Sequence, residues 1–375
     1  VLGIVGLLTI LTISYEQTIH AYPDGGGAYI VARDNIGEIP AQIAGAALLT
    51  DYILTVAVSI SAGVAQIVSA FPEIFRWRVE IAVFFILFIM IINLRGVKES
   101  GITFAIPTYF FVGVMYITII VGLIRYFSGT LGLVANPPEL TVLAEPQALS
   151  LFLILKAFAS GTASVTGVEA ISNGITAFRE PRSKNAGITL IFMALILGSM
   201  LIGVTFLAGK VAAIPSEHET LVSQIARTVF DGRGILYLAT IVGTTIILVM
   251  AANTAFADFP RLGALTAKDG FLPRQLTFKG SRLVYSQGIA SLAIIASILV
   301  IIFQANVSRL IPLYAIGVFL SFSLSQGGMA HRWWKSGHLK PGEEKIEPGS
   351  VVRYEKSWLF KMIINGFGAT VTFFV

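Results

Sequence analysis

The chain has no cysteine in 375 residues. That excludes disulfides, thiolate metal sites and a cysteine nucleophile. It is also poor in charge. Asp, Glu, Lys and Arg together make up 13% of it, against roughly 25% in a soluble domain. Charge this sparse cannot cover a protein of this size for water. The 55% of hydrophobic residues and the mean hydropathy of +0.81 suit lipid instead. The four histidines, His20, His218, His331 and His338, are expected in solvated loops and lack the spacing of a metal site. No cofactor is expected. The alternating ten-residue strands of a β-barrel are also missing. A net charge of +5 does not call for nucleic acid, because membrane proteins concentrate Lys and Arg on the cytoplasmic side.

What is present is a series of long apolar runs. A helix needs about 20 such residues to cross the hydrocarbon core. Complete runs are expected at 39–70, 79–94, 102–126, 148–178, 186–209, 234–257, 286–304 and 310–327, with partial ones at 1–13 and 358–375. Val1 and Val375 both lie inside apolar runs, so further helices are expected beyond the two ends. The fold class is an all-α, multi-pass membrane protein, read as one transmembrane domain over residues 1–375.

Loop charge sets the expected orientation. Loops 14–37, 95–101, 179–185, 258–285 and 330–357 carry seventeen Lys and Arg, and the alternate loops carry seven. The first set is therefore assigned to the cytoplasm and the protein to the plasma (inner) membrane. Within the first set, Ala21–Tyr29 (AYPDGGGAY) must turn sharply. The stretch 258–274 can lie as a short interfacial helix.

Ionisable residues deep in a span cost about 2.5–3.5 kcal/mol on insertion scales, so they mark candidate sites. Asp51, Lys156 and Glu169 qualify, whereas Glu80 lies near the outer edge of its helix. Asp51 sits a dozen residues into its span, near mid-membrane. At about 100° per residue, Tyr52, Thr55, Ser59 and Gln66 share its face. Oxygens alone suit a hard cation or an ammonium group. The competing reading is packing, with hydroxyls bonded to their own backbone. Lys156 is expected to snorkel toward the outer surface. The hydroxyls of 234–257 (Thr240, Thr244, Thr245, Thr254) are expected mainly to bond their own helix.

The span 148–178 has two short apolar halves around SGTASVTG. That is the form of a broken transmembrane helix, whose unwound backbone at Ser160, Gly161 and Gly167 needs other partners. Thr166 lies in the break. Glu169 lies one turn into the second half, where a partly desolvated carboxylate can carry a proton. The alternative is a glycine-lined helix contact.

Three segments carry a resemblance: YPDGGGAY (22–29), SGTASVTGVEAISNG (160–174) and ANTAFADFPRLGALTAKDGFLP (252–273). They resemble the amino acid–polyamine–organocation superfamily, and the likeness runs over nearly the whole chain. It implies a LeuT-like fold of two inverted five-helix repeats with a discontinuous helix. It places this chain from the second to the eleventh helix of that fold, without the first helix and without a cytosolic C-terminal domain. Within the superfamily, LLTDYILTVAVSISAG (48–63) looks most like the KimA-type potassium importers, which are proton-coupled. That likeness implies a potassium site at Asp51, Tyr52, Thr55, Ser59 and Thr166, proton coupling at Glu169, and a homodimer. Some proton-coupled amino acid members use a lysine in the fifth helix, and 102–126 has none. The expected function is proton-coupled potassium uptake by alternating access. The alternative is a proton-coupled amino acid or polyamine permease. No nucleophile–base pair lies in the spans, so an enzyme is not expected.

Overall fold

The computed structural model describes residues 1–23, 25, 27–96, 101–138, 150–280, 284–347 and 350–375, with the side chains of 101–103 excepted. Asp24, Gly26, Lys98, Arg282 and the expected span start at Ala148 lie outside them. The helices are α1 (Leu2–Ala21), α2 (Ala28–Asn35), α3 (Glu38–Ala70), α4 (Arg78–Leu94), α5 (Gly101–Phe127), α6 (Leu151–Thr162) and α7 (Val168–Asn173). They continue as α8 (Arg182–Lys210), α9 (Leu221–Val229), α10 (Ile235–Lys268), α11 (Ser286–Ile302) and α12 (Val307–Gly337). A two-stranded antiparallel hairpin, β1 (Glu344–Glu347) and β2 (Ser350–Arg353), pairs Glu344 with Arg353 and precedes α13 (Trp358–Phe374).

Among the described residues, eight helical stretches are long and apolar enough to cross a membrane, with α11 and α13 as shorter apolar helices. The protein is a multi-pass membrane protein. α4 shows why. Ala82, Ile86 and Ile89, at i, i+4 and i+7, form its buried stripe. Its opposite side carries Phe84 and Phe88, both at least half exposed. A soluble helix would be polar there, and an apolar outer face requires an apolar solvent.

The chain divides into two compact units. Unit 1 comprises 1–51, 149–199 and 312–375, and unit 2 comprises 52–148 and 200–311. In unit 1, α1 is central and packs on α6, α7 and α13. In unit 2, α10 is central and packs on α4, α5, α9 and α11. α1 and α13 join through buried polar groups. Ser14 donates to Asn365 Oδ1, and Asn365 Nδ2 donates to Gln17 Oε1 at 2.8 Å. Close helix packing in unit 2 needs small residues. A Cβ on Gly203 would meet Ile119 at 2.8 Å, and one on Gly243 would meet Val114 at 2.9 Å.

Several helices run past the ends expected from hydropathy. α1 reaches Ala21 rather than Ile13, α10 reaches Lys268, and α12 reaches Gly337. The stretch after Ala257 is therefore not a separate interfacial helix. Phe259, Ala264 and Ala267 are buried, so packing within unit 2 carries α10 onward despite Pro260. The same cause extends α12, where Met329, Arg332, Trp333 and Ser336 are buried. Two expected loop histidines are thus helical. His20 lies in the last turn of α1 and His331 within α12, although both are solvent-exposed.

Candidate functional site

The break in the apolar run 148–178 is real, but it lies later than its small residues imply. α6 continues through Ser160 and Gly161 to Thr162, and a single 3-10 turn follows at 163–165. Thr166 is then extended, and Gly167 takes the left-handed region at φ 95° before α7 begins. Ser160 and Gly161 therefore do not supply unwound backbone. A lone glycine or serine only weakens a helix, whereas an extended residue followed by a left-handed one ends it. Gly161 instead lets α1 approach, since a Cβ there would meet Ile4 at 2.6 Å.

The break organises its own polar groups. The Gly167 amide donates to both oxygens of Glu169, at 3.1 and 3.0 Å. This holds the carboxylate back over the first turn of α7. The Thr166 hydroxyl donates to the Ala163 carbonyl at 2.9 Å and accepts from the Tyr314 hydroxyl of α12 at 2.8 Å. Glu169 is buried.

Asp51 is buried at 2% exposure. α12 approaches it closely at Gly317, where a Cβ would lie 3.4 Å from the Asp51 nitrogen and 3.3 Å from the Ala47 carbonyl oxygen. Tyr15 of α1, 1% exposed, lies within electrostatic reach of both Asp51 and Glu169. Its hydroxyl is beside Ser325, without a well-formed hydrogen bond to it. Unit 1 thus gathers Asp51, Thr166 and Glu169 with three residues the sequence reading passed over: Tyr15, Tyr314 and Ser325. Tyr15 was hidden because α1 was expected to end at Ile13. The α12 residues did carry a signal. Tyr314, Gly317, Ser321 and Ser325 fall within an arc of about 80° of α12.

Tyr52, Thr55 and Ser59 continue the Asp51 face of α3 in unit 2. Ser59 is buried, and the other two are half-buried. Gln66, on the same face, is a structural residue. Its Oε1 accepts from the Thr220 hydroxyl at 2.9 Å, and Ser69 accepts from the Thr220 amide. Three of the four α10 hydroxyls bond their own helix as expected, Thr240, Thr244 and Thr254, whereas the buried Thr245 hydroxyl does not. Thr240 and Thr244 bond the carbonyls of Leu236 and Thr240, at 2.9 and 2.8 Å. Lys156 is exposed on α6 and lines a cavity with Ser160, Phe319 and Leu320.

A larger cavity of about 1060 Å³ lies elsewhere in unit 1, between the ends of α1 and α12 and the hairpin. Arg332 is its central cation. It donates to the Ser350 hydroxyl and the Val351 carbonyl, each at 2.7 Å, and stacks 4.9 Å from the Tyr22 ring centroid. Lys335 pairs with Glu347 at 2.8 Å. Burial pushes the Glu347 carboxyl up, but hydrogen bonds from Lys335 and Lys345 outweigh it and hold the group below its usual range. Asp34 is shifted the other way, because burial outweighs its Arg33 partner.

Long apolar helices with apolar outer sides, and a buried polar centre with a helix break, define a multi-pass membrane protein. The chain belongs to the amino acid permease family, whose model matches residues 1–375. It is 46% identical over 374 residues to the potassium transporter KimA of Bacillus subtilis, covering all of this chain and 58% of that protein. The chain thus spans under two thirds of that relative's length. It is also 29% identical over 150 residues to the chloroplastic cationic amino acid transporter 6 of Arabidopsis thaliana, covering 36% of this chain and 26% of that protein.

Proposed function

We propose that this chain forms the transport core of a proton-coupled potassium importer that works by alternating access. The observation that carries the reading is the pair of buried carboxylates in unit 1, Asp51 and Glu169, the second bonded to the Gly167 amide at the helix break. A buried carboxylate is costly in hydrocarbon unless its charge is met, and a permeating cation meets it. Asp51 supplies the charge. The Thr166 oxygen, and the hydroxyls of Tyr52, Thr55 and Ser59 along α3, replace hydration. Glu169 takes the proton. The likeness to the Bacillus potassium transporter over the whole chain supports potassium as the cation. We also propose the two inverted five-helix repeats, the plasma membrane location, the cytoplasmic placement of the seventeen-charge loop set and a homodimer. These follow from family likeness and loop charge.

A second reading is a proton-coupled permease for cationic amino acids or polyamines. The family match and the partial likeness to a cationic amino acid transporter favour it. Fold alone does not separate the two, because unrelated substrates share one scaffold.

The deciding experiment is uptake by the full chain in proteoliposomes under an inward proton gradient, with potassium compared against amino acids and polyamines. Potassium uptake is expected. It should fall by at least tenfold in Asp51→Asn, and Glu169→Gln should lose its response to the gradient. Amino acid or polyamine uptake without potassium flux would transfer the assignment to the second reading.

A further inference from the structure

We propose that the cavity of about 1060 Å³ between α1, α12 and the hairpin binds a phosphate ester, with Arg332 as its anchor. Asp51 and Glu169 do not line this cavity, so the site does not depend on what those acids carry.

Charge balance along the wall singles out one residue. Among the described residues, four Arg and Lys side chains and three Glu line the cavity. Each Glu already has a cation. Glu347 is held by Lys335 and Lys345 at 2.8 and 3.2 Å, and Glu355 by Lys361. Glu16 lies 3.3 Å from His20, a charged pair when that ring is protonated. Two further cations also have acids, Arg33 with Asp34 at 3.2 Å and Arg353 with Glu344 at 2.8 Å. Arg332 pairs with no acid among the described residues. Its hydrogen bonds go to neutral groups, the Ser350 hydroxyl and the Val351 carbonyl. Asp34 is within its electrostatic reach, but it bonds Arg33 and does not line the cavity.

Arg332 is only 5% exposed. A guanidinium has five N–H donors and keeps its charge, and a buried charge without a counter-ion is costly. The next residue adds an unmet donor. Trp333 lines the same cavity at 7% exposure, and its indole N–H has no hydrogen-bond partner. Consecutive helical residues project about 100° apart, so these donors approach a ligand from different directions. A tetrahedral phosphate offers acceptor oxygens in several directions, whereas a carboxylate offers them in one plane. The cavity is also far larger than one phosphate and matches the upper end of small-molecule sites. The ligand class is therefore a phosphate carried on a larger body, either a lipid headgroup or a soluble ester.

The hairpin does not hang on Arg332 alone. The Ser336 hydroxyl donates to the Arg353 carbonyl at 2.6 Å, and Lys335 holds Glu347. Replacing Arg332 should therefore remove the anchor and leave the hairpin attached.

The test is thermal melting of the full chain in detergent with glycerol phosphate or dioleoylphosphatidylglycerol. Glycerol and dioleoylglycerol are the phosphate-free controls, and glycerate is the carboxylate control. At least one phosphate probe should raise Tm by about 3 °C or more at saturation, and neither phosphate-free control should. A rise with glycerol phosphate assigns a soluble ester, and a rise with the phospholipid alone assigns a headgroup. Arg332→Gln should lose the rise. Arg332→Lys, which keeps the charge without the fork, should weaken apparent affinity at least about fivefold. Ser350→Ala, which removes a hairpin contact and no charge, should bind within about twofold of wild type. No rise with either phosphate probe would overturn the proposal, as would a full rise in Arg332→Gln or a larger one with glycerate. Equal losses in Ser350→Ala and the Arg332 variants would show hairpin attachment in place of anion binding. If Arg332→Gln does not fold, Arg332→Lys against Ser350→Ala decides, since binding must weaken in the first and not in the second.

Discussion

Asp51 and Glu169 were conspicuous in the sequence because carboxylates inside apolar runs are expensive to place in lipid. Their bonding was not. Glu169 is folded back onto the Gly167 amide, and Thr166 is held by Tyr314 from a helix nearly 150 positions away. Tyr314→Phe removes one hydrogen bond to Thr166, which is worth about 1 kcal/mol. The expected result is a drop of a few degrees in Tm together with a severalfold rise in the potassium KM. Thermal melts and uptake kinetics on the same preparation check it. Glu347 gives a pH prediction. Its folded pKa lies below the usual value, so the stability it adds is present above the unfolded pKa of about 4.3 and is lost as pH falls through the folded value. Amide exchange over Ser350–Arg353 should stay protected from pH 7 to 5 and open below about pH 4. In Glu347→Gln it should already be faster at pH 7, with that pH dependence gone.

At the scale of elements, hydropathy located the helices and missed where they stop. Ends at Ala21, Lys268 and Gly337 lie in stretches with enough polar residues to look like loops. They stay helical because one face is buried against neighbours, which no local window contains. The break shows the same limit. Two glycines and several hydroxyls marked the region, but only backbone conformation separates helical Gly161 from left-handed Gly167. Three substitutions at two glycines test this. Gly167→Ala forces a Cβ into the left-handed region, at a cost of about 1–2 kcal/mol, and moves the amide that holds Glu169. Transport should fall sharply. Gly317→Ala places a Cβ 3.3 to 3.6 Å from the backbone of Ala47 and Asp51, so α12 must shift by a few tenths of an ångström. The expected loss is moderate, deepening sharply in Gly317→Val. Equal uptake by all three variants and the wild type would show that neither the left-handed turn at Gly167 nor the close approach at Gly317 matters to transport.

For the whole molecule, composition settled the solvent: sparse charge, lipid-compatible outer faces and apolar stretches of crossing length all point to a bilayer. The absence of cysteine makes orientation easy to measure, because any introduced thiol is unique. With the charge-rich loops inside, Ser128→Cys should react with a membrane-impermeant maleimide on intact cells, and Ser357→Cys only after permeabilisation. Both positions are exposed. The reverse pattern would invert the proposed sidedness.

The sequence by itself determined the lipid environment, the helical class, the family likeness, the existence of a break and the two buried acids. These rest on local quantities, since hydropathy, side-chain charge and backbone propensity are carried by consecutive residues. Only the tertiary structure decided that α1 brings Tyr15 within electrostatic reach of both acids, that α12 sets Tyr314 on Thr166 and Gly317 against Asp51, and that Gln66 belongs to packing rather than to the site. Those outcomes depend on which helix faces lie together. Inside an apolar solvent hydropathy does not choose between faces, so the choice falls to close packing and a few buried hydrogen bonds.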